Sequence, residues 1–165
     1  MEHDRHRAAA DTADPDRHDG VPDVAVVVDV ANVMGSRPDG WWRDRRAAAT
    51  QLLTAFDALI GTEPVGPDGR HRRITRVVAV LEGAARGATS PGADLAGRLP
   101  VQVVSAPHDG DSAIVAQAEA LTHGSMAAAG GAAVLVVTAD RGLRARLPHA
   151  AIVAGPDWLN RLIGR

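Results

Sequence analysis

The sequence predicts an α/β domain with a mostly parallel central sheet. Short Val- and Ile-rich runs alternate with stretches whose apolar residues recur at helical spacing, the pattern of successive βα units. The runs are almost continuously apolar, as strands buried on both faces must be. The length of 165 residues, 45% hydrophobic and 23% charged, suits one soluble domain.

Residues 1–22, MEHDRHRAAADTADPDRHDGVP, have low hydrophobicity and mixed charge, and cannot bury enough surface to offset their ordering entropy. They are expected to form a disordered tail, with His3, His6 and His18 solvated, ahead of a domain over residues 23–165. VAVVVD at 24–29 predicts the first strand. Ala49, Leu52, Leu53, Phe56, Leu59 and Ile60 then repeat at helical spacing before Gly61 and Pro64, predicting a helix over 43–60. GPDGRHRR at 66–73 reads as an exposed basic loop, and ITRVVAVLE at 74–82 and VQVVSA at 101–106 as strands. A helix is expected over 111–122, with Ile114, Val115, Ala118 and Leu121 inward, followed by a flexible connection, GSMAAAGG, at 124–131. AAVLVVTA at 132–139 and the weaker AAIVA at 150–154 complete the strands, and Trp158, Leu159, Leu162 and Ile163 mark a last helix.

Composition narrows the chemistry. With no cysteine there are no disulfides or thiolate sites, so any metal must be held by oxygen or imidazole ligands, which favours hard cations. The first twenty residues are charged, and no apolar run approaches the ~20 residues of a membrane span, so a cytoplasmic protein without signal peptide or anchor is expected. The net charge of -2 hides an asymmetry, since residues 24–165 hold 13 acids against 15 arginines. Every Lys or Arg position is Arg, which a GC-rich genome explains, although Arg is also the better fork for phosphate oxygens.

In open parallel sheets, ligands bind beyond the carboxyl ends of the strands. Asp29 ends the first strand, Glu82 the second, Asp109 and Asp111 follow the third, and Asp140 follows the fourth. Taken singly, Asp111 and Asp140 also suit helix N-caps, worth about 1 kcal/mol each. Glu82 suits an exposed loop, and Asp109 a turn. Gathered at one edge, two such carboxylates about 5 Å apart would repel by roughly 3 kcal/mol at an effective dielectric near 20, which a divalent cation resolves. Oxygen ligands without thiols point to Mg²⁺ or Mn²⁺, able to activate a water against a phosphodiester. Asn32, three residues after Asp29, is expected to donate an amide hydrogen bond that fixes that carboxylate or the substrate; its plainer role is a turn residue.

VVVDVANVMG around Asp29 and Asn32, HDGDSAIVAQA around Asp111 and VVTADRGLRARL around Asp140 together resemble the PIN-like nuclease superfamily, with the NYN branch nearest. The D-x-x-N followed by GSRPDGWWRDR resembles a small actinobacterial group of such proteins. The resemblance spans residues 24 to about 154. It implies a three-layer α/β/α Rossmann-like sandwich and Mg²⁺- or Mn²⁺-dependent hydrolysis of RNA. It also implies that Asp29, Glu82, Asp111 and Asp140 hold the metal, and that Thr138, two before the last acid, positions Asp140 or a metal-bound water. Val30 stands where the NYN branch commonly has Gly, and Ser112 where relatives often have a second acid, so one or two ions remain open.

A site that cleaves RNA needs positive charge around its acids. Arg37, Arg43, Arg45 and Arg46 lie near the first acid, Arg86 follows Glu82, and Arg141, Arg144 and Arg146 follow Asp140. Arg70, Arg72, Arg73 and Arg76 form a second patch, expected at the opposite end of the sheet and ranked below the first. Trp41 and Trp42 offer stacking surfaces for unpaired bases, worth roughly 1 to 3 kcal/mol per base, although at least one of them should pack in the core. His108 is a further candidate as general acid or phosphate contact. The expected function is a metal-dependent endoribonuclease acting on single-stranded RNA, with a homodimer as an option. The alternatives are a non-catalytic RNA- or protein-binding module on the same fold, and a metal-dependent nucleotide pyrophosphohydrolase.

Overall fold

A computed structural model describes residues 20–88, 101–107, 109–127 and 131–165. The expected tail over 1–22, apart from its last three residues, and His108 lie outside these. Five strands form one sheet: β1 (Asp23–Asp29), β2 (Arg73–Leu81), β3 (Val101–Ser105), β4 (Ala133–Val137) and β5 (Ile152–Ala154). Their order is β3-β2-β1-β4-β5, and every neighbouring pair is parallel. The expectation of a mostly parallel sheet is met in full.

The strand sequences are apolar throughout because each face of the sheet has its own helical layer. In β1, Val24, Val26 and Val28 pack with the helices α1 (Val30–Gly35), α2 (Arg45–Asp57) and α5 (Pro156–Leu162). Val27 points the other way, with Val78, Val80, Val134 and Val136, against α3 (Gly110–Ala127) and α4 (Arg141–Arg146). The result is the α/β/α sandwich. With few aromatics, the first core is filled by Leu and Val around a fully buried Phe56, where each large side chain contributes about 1.5–3 kcal/mol.

The element boundaries show where local chemistry acts. The helix expected over 43–60 runs from Arg45 to Asp57, and begins where the Asp44 carboxylate accepts from the Ala47 N–H at 2.9 Å. The short α1 and a 3-10 turn over Gly83–Gly87 were not expected; each directly follows an acid at a strand's carboxyl end, Asp29 closing β1 and Glu82 just past β2. The connection expected over 124–131 is helical as far as Ala127, because α3 continues past its predicted end. The basic loop at 66–73 is not fully exposed either. Arg72 is buried, with both guanidinium nitrogens donating to the Asp68 carboxylate at 2.7 Å, which holds that acid well below the usual carboxylate range. Arg73 starts β2 opposite Asp23 of β1, so this patch does lie at the amino edge. No helix among the described residues is long and apolar enough to cross a membrane.

Candidate metal and phosphodiester site

The sheet order reverses at β1: β2 and β3 lie on one side, β4 and β5 on the other. A crevice is expected beyond the carboxyl ends at such a switch point. A pocket of about 320 Å³ is found there, and its lining includes Asp29, Glu82, Asp111 and Asp140, with Asn32, Gly35 and Gly110. Four acids separated by as many as 111 residues of sequence thus line one pocket. Register explains much of this. Asp29 pairs with Val80, which places Glu82 two residues beyond that level, just past the end of the next strand. Val28 pairs with Val137, so Thr138 follows at the level of Asp29 on the other side.

Asp29 is the best held of the four. It is only 9% exposed. One oxygen accepts from the backbone N–H of Asn32 at 3.0 Å, which makes Asp29 the N-cap of α1. The other accepts from the Thr138 hydroxyl, also at 3.0 Å. Burial pushes its pKa up, the two hydrogen bonds pull it down, and the charges of Asp111 and Glu82 add to the upward shift.

Asn32 was expected to donate an amide hydrogen bond to Asp29 or to the substrate, and the first of these takes a different form. Its backbone, not its side-chain amide, donates to Asp29; the side-chain oxygen accepts from the Ala139 N–H at 2.9 Å. Asn32 therefore ties the start of α1 to the β4–α4 loop, and so fixes the spacing between Asp29 and Asp140. Thr138 is fully buried and links the same two acids. Its hydroxyl donates to Asp29 and accepts from the Asp140 N–H at 3.1 Å. Of the two roles expected for this hydroxyl, the contact with Asp140 is seen, with Asp29 as a second partner.

The capping alternatives resolve differently for each acid. Asp140 is an N-cap, accepting from the Leu143 N–H at 2.8 Å through one oxygen. It also lines the pocket, so capping and a site role coexist. Asp111 is not the cap of α3. That role belongs to Asp109, which accepts from the Asp111 N–H at 3.0 Å and from the Ser112 hydroxyl. The Ser112 hydroxyl and backbone hold the Asp109 carboxyl below its usual range. The motif D-G-D-S offers two acids for one cap, and spacing alone does not choose between them. Asp111 is left to the pocket, where burial and the charges of Asp140 and Asp109 push its pKa up against a pull from Arg146. Arg146 approaches Asp111 at 3.8 Å and donates to Ser112 at 2.8 Å.

Glu82 depends on a residue not singled out by its sequence. A Cβ placed on Gly110 would meet a Glu82 carboxylate oxygen at 2.5 Å. The absence of a side chain at the first residue of α3 is what lets the acid that follows β2 lie against the start of that helix.

The donor set is hard oxygen throughout, and the upward shifts at Asp29 and Asp111 come first from burial and then from the neighbouring acids. Among the described residues no three Asp, Glu or His side chains close around a common point.

The expected RNA contacts divide. Arg37 donates to the Arg165 carbonyl at 2.8 Å. Arg86 donates to the Gly83 and Pro107 carbonyls at 3.1 and 3.4 Å. Arg144 places two donors on the Thr138 carbonyl at 3.1 and 2.7 Å. These three brace the backbone around the site. Arg43, Arg45, Arg46 and Arg141 are exposed and make none of the ion pairs found among the described residues. Trp41 is partly buried against the core with the Arg45 guanidinium 5.2 Å over its ring. The freely exposed aromatic is its edge-on neighbour Trp42, at 52%.

No family model matches the chain, and no curated protein matches it in sequence. Among solved structures, the fold is similar to that of a mutant of Rae1 (YacP) from Bacillus subtilis, with a TM-score of 0.52 and 16% identity over 86% of this chain and 75% of that one. At that identity the likeness bears on the α/β fold alone.

Proposed function

We propose that this chain is a metal-dependent endoribonuclease that hydrolyses phosphodiester bonds of single-stranded RNA, using Mg²⁺ or Mn²⁺ held by Asp29, Glu82, Asp111 and Asp140. The observation that supports the reading is the gathering of these four acids in one pocket at the switch point of a parallel sheet. The sequence motifs resembling the PIN-like superfamily agree with it. When bound, such an ion supplies an activated water and neutralises charge that develops on the phosphate. The chain's own residues prepare the place. Thr138 and the Asn32 N–H hold both Asp29 oxygens, so the acid enters the site already oriented. Asn32 and Thr138 keep Asp140 at a fixed distance from it. Arg141, exposed beside Asp140, and Arg43, Arg45 and Arg46 at the start of α2 offer positive charge to the RNA backbone.

The test is cleavage of unstructured RNA with Mn²⁺, with Mg²⁺ and with chelator. Asp29→Asn and Asp140→Asn are expected to abolish cleavage while the fold survives, since Asn also serves as an N-cap. Undiminished cleavage by both variants would overturn the assignment. RNA binding without turnover would favour a binding module, and pyrophosphate release from a nucleoside triphosphate with RNA left intact would favour a nucleotide hydrolase.

A further inference from the structure

Among the described residues, Arg146 at the end of α4 is the one basic side chain that forms an ion pair with any of the four pocket acids, approaching Asp111 at 3.8 Å. That separation is too long for a hydrogen bond, so the guanidinium is not committed to Asp111. Its anchor is the next residue. The Ser112 hydroxyl gives its own proton to Asp109 and accepts from Arg146 at 2.8 Å. Asp109 is fixed in turn by the Asp111 N–H at the start of α3. These bonds tie the end of α4 to the start of α3 and hold a positive charge beside a pocket acid. A guanidinium has several N–H donors, and among the described residues the bond to Ser112 is the only one this side chain makes. It is also 46% exposed, and it stands just outside the lining of the acid pocket, where a ligand can reach it. Arg144, on the same helix, has no such freedom, because two of its donors are on the Thr138 carbonyl.

We infer that Arg146 binds a phosphate of the RNA strand where that strand passes Asp111 at the edge of the acid pocket, with Ser112 as the residue that positions the guanidinium, an inference that rests on the function proposed above. Four carboxylates repel a polyanion, and a cation held beside one of them offsets that repulsion where the strand must pass. The planar guanidinium fork matches phosphate oxygens. Its anchoring at Ser112 before RNA arrives lowers the entropy lost when the contact forms. An exposed ion pair as loose as that with Asp111 adds little to stability, so a structural role accounts poorly for the arrangement.

The test reads binding of a labelled, single-stranded oligoribonucleotide by fluorescence anisotropy with Mn²⁺, using the full chain with Asp140→Asn so that the strand stays whole. Calorimetry without RNA reads Mn²⁺ binding. Arg146→Ala, at an exposed helix end that tolerates truncation, should weaken RNA binding about tenfold, the effect of one lost hydrogen bond to a charged group. It should also lower the slope of log affinity against log salt by about 0.7, as one lost phosphate contact on a single strand does. Its Mn²⁺ affinity should be unchanged or higher, since a positive charge beside Asp111 is gone. Ser112→Ala should weaken RNA binding by a smaller factor and add nothing to Arg146→Ala in the double variant. Arg70→Ala removes the same charge near the amino edge of the sheet and should change neither affinity nor slope. An unchanged salt slope in Arg146→Ala, or an equal loss from Arg70→Ala, would overturn the contact. So would weaker Mn²⁺ binding in Arg146→Ala, which would make the guanidinium a brace for Asp111. Cleavage by the chain without Asp140→Asn is measured in parallel. Cleavage with RNA affinity independent of Arg146 removes the contact and leaves the nuclease reading, whereas binding that depends on Arg146 without cleavage does the reverse.

Discussion

The Thr138 hydroxyl and the Asp29 carboxylate meet at 3.0 Å although 109 residues separate them in sequence. Neighbouring parallel strands bring them level, because Val28 pairs with Val137 one residue earlier. The same hydroxyl accepts from the Asp140 N–H, so one buried oxygen links two of the four acids. Thr138→Val keeps the shape but leaves a buried carboxylate oxygen and an N–H without partners. It should destabilise the fold by about 1–3 kcal/mol and weaken Mn²⁺ binding, whereas Thr138→Ser should retain both properties. Denaturant titration and calorimetry of Mn²⁺ binding measure the two effects. A valine variant with wild-type metal affinity would show that the hydroxyl does not position Asp29.

The upward shifts at Asp29 and Asp111 set the sign of a pH effect. A carboxyl with a raised folded pKa holds its proton more tightly when folded than when unfolded. Between the ordinary carboxylate range and the raised value, the folded state therefore binds more protons, and stability falls as pH rises. Without metal, unfolding free energy should decline across that window, and Asp29→Asn should flatten the decline. A divalent cation binds the ionised form, so its affinity should be lost on acidification at a higher pH than ordinary carboxylates would give. Denaturation at stepped pH, with chelator and with Mn²⁺, checks both slopes. A metal-free profile that is unchanged by Asp29→Asn would contradict the assignment of the shift to burial.

Much of this arrangement is legible in the sequence because it depends on period and order. Continuous Val runs mark doubly buried strands, and acids at their carboxyl ends converge once the strands are parallel. What is not legible depends on contacts between distant segments. Asn32 was expected to donate its amide to Asp29 or to the substrate, and the contact its side-chain oxygen makes is with the Ala139 N–H, 107 residues away. Trp41 and Trp42 are adjacent and chemically identical, and only the packing of α2 onto the sheet decides which one is covered. Arg37, Arg86 and Arg144 are indistinguishable in sequence from free phosphate contacts, but each finds a backbone carbonyl. Gly110 carries no chemistry of its own, and its importance appears only when the space occupied by Glu82 is known.

That space gives the next prediction. Gly110→Ala introduces a Cβ at 2.5 Å from a Glu82 oxygen, and the group that must yield is the end of a flexible side chain, not backbone. The fold should therefore tolerate the change, within about 1 kcal/mol of wild type given the better helix propensity of Ala. The Glu82 carboxylate should be displaced, with Mn²⁺-supported cleavage reduced at least about tenfold, the effect of losing roughly 1.4 kcal/mol of transition-state stabilisation. Adding Glu82→Asp to Gly110→Ala shortens the acid by one methylene and should recover part of the loss. Full activity in the single variant would mean that the position of Glu82 does not matter to the reaction.

Asp109 and Asp111 stand two residues apart at the start of one helix, and their opposite roles predict opposite phenotypes. Asp109 takes hydrogen bonds from the Asp111 N–H and the Ser112 hydroxyl and lies outside the lining of the acid pocket. Asp109→Ala should cost about 1 kcal/mol of stability through the lost cap and leave cleavage nearly intact at temperatures where the fold holds. Asp111 makes no capping contact, and burial, with the charges of Asp140 and Asp109 beside it, pushes its pKa up. Asp111→Ala should leave stability unchanged or slightly higher while removing most of the metal-dependent activity. Thermal unfolding and cleavage measured on the same two preparations separate these outcomes. The reverse pattern, with Asp109 needed for activity and Asp111 for stability, would return the cap to Asp111 and require a different set of acids at the metal.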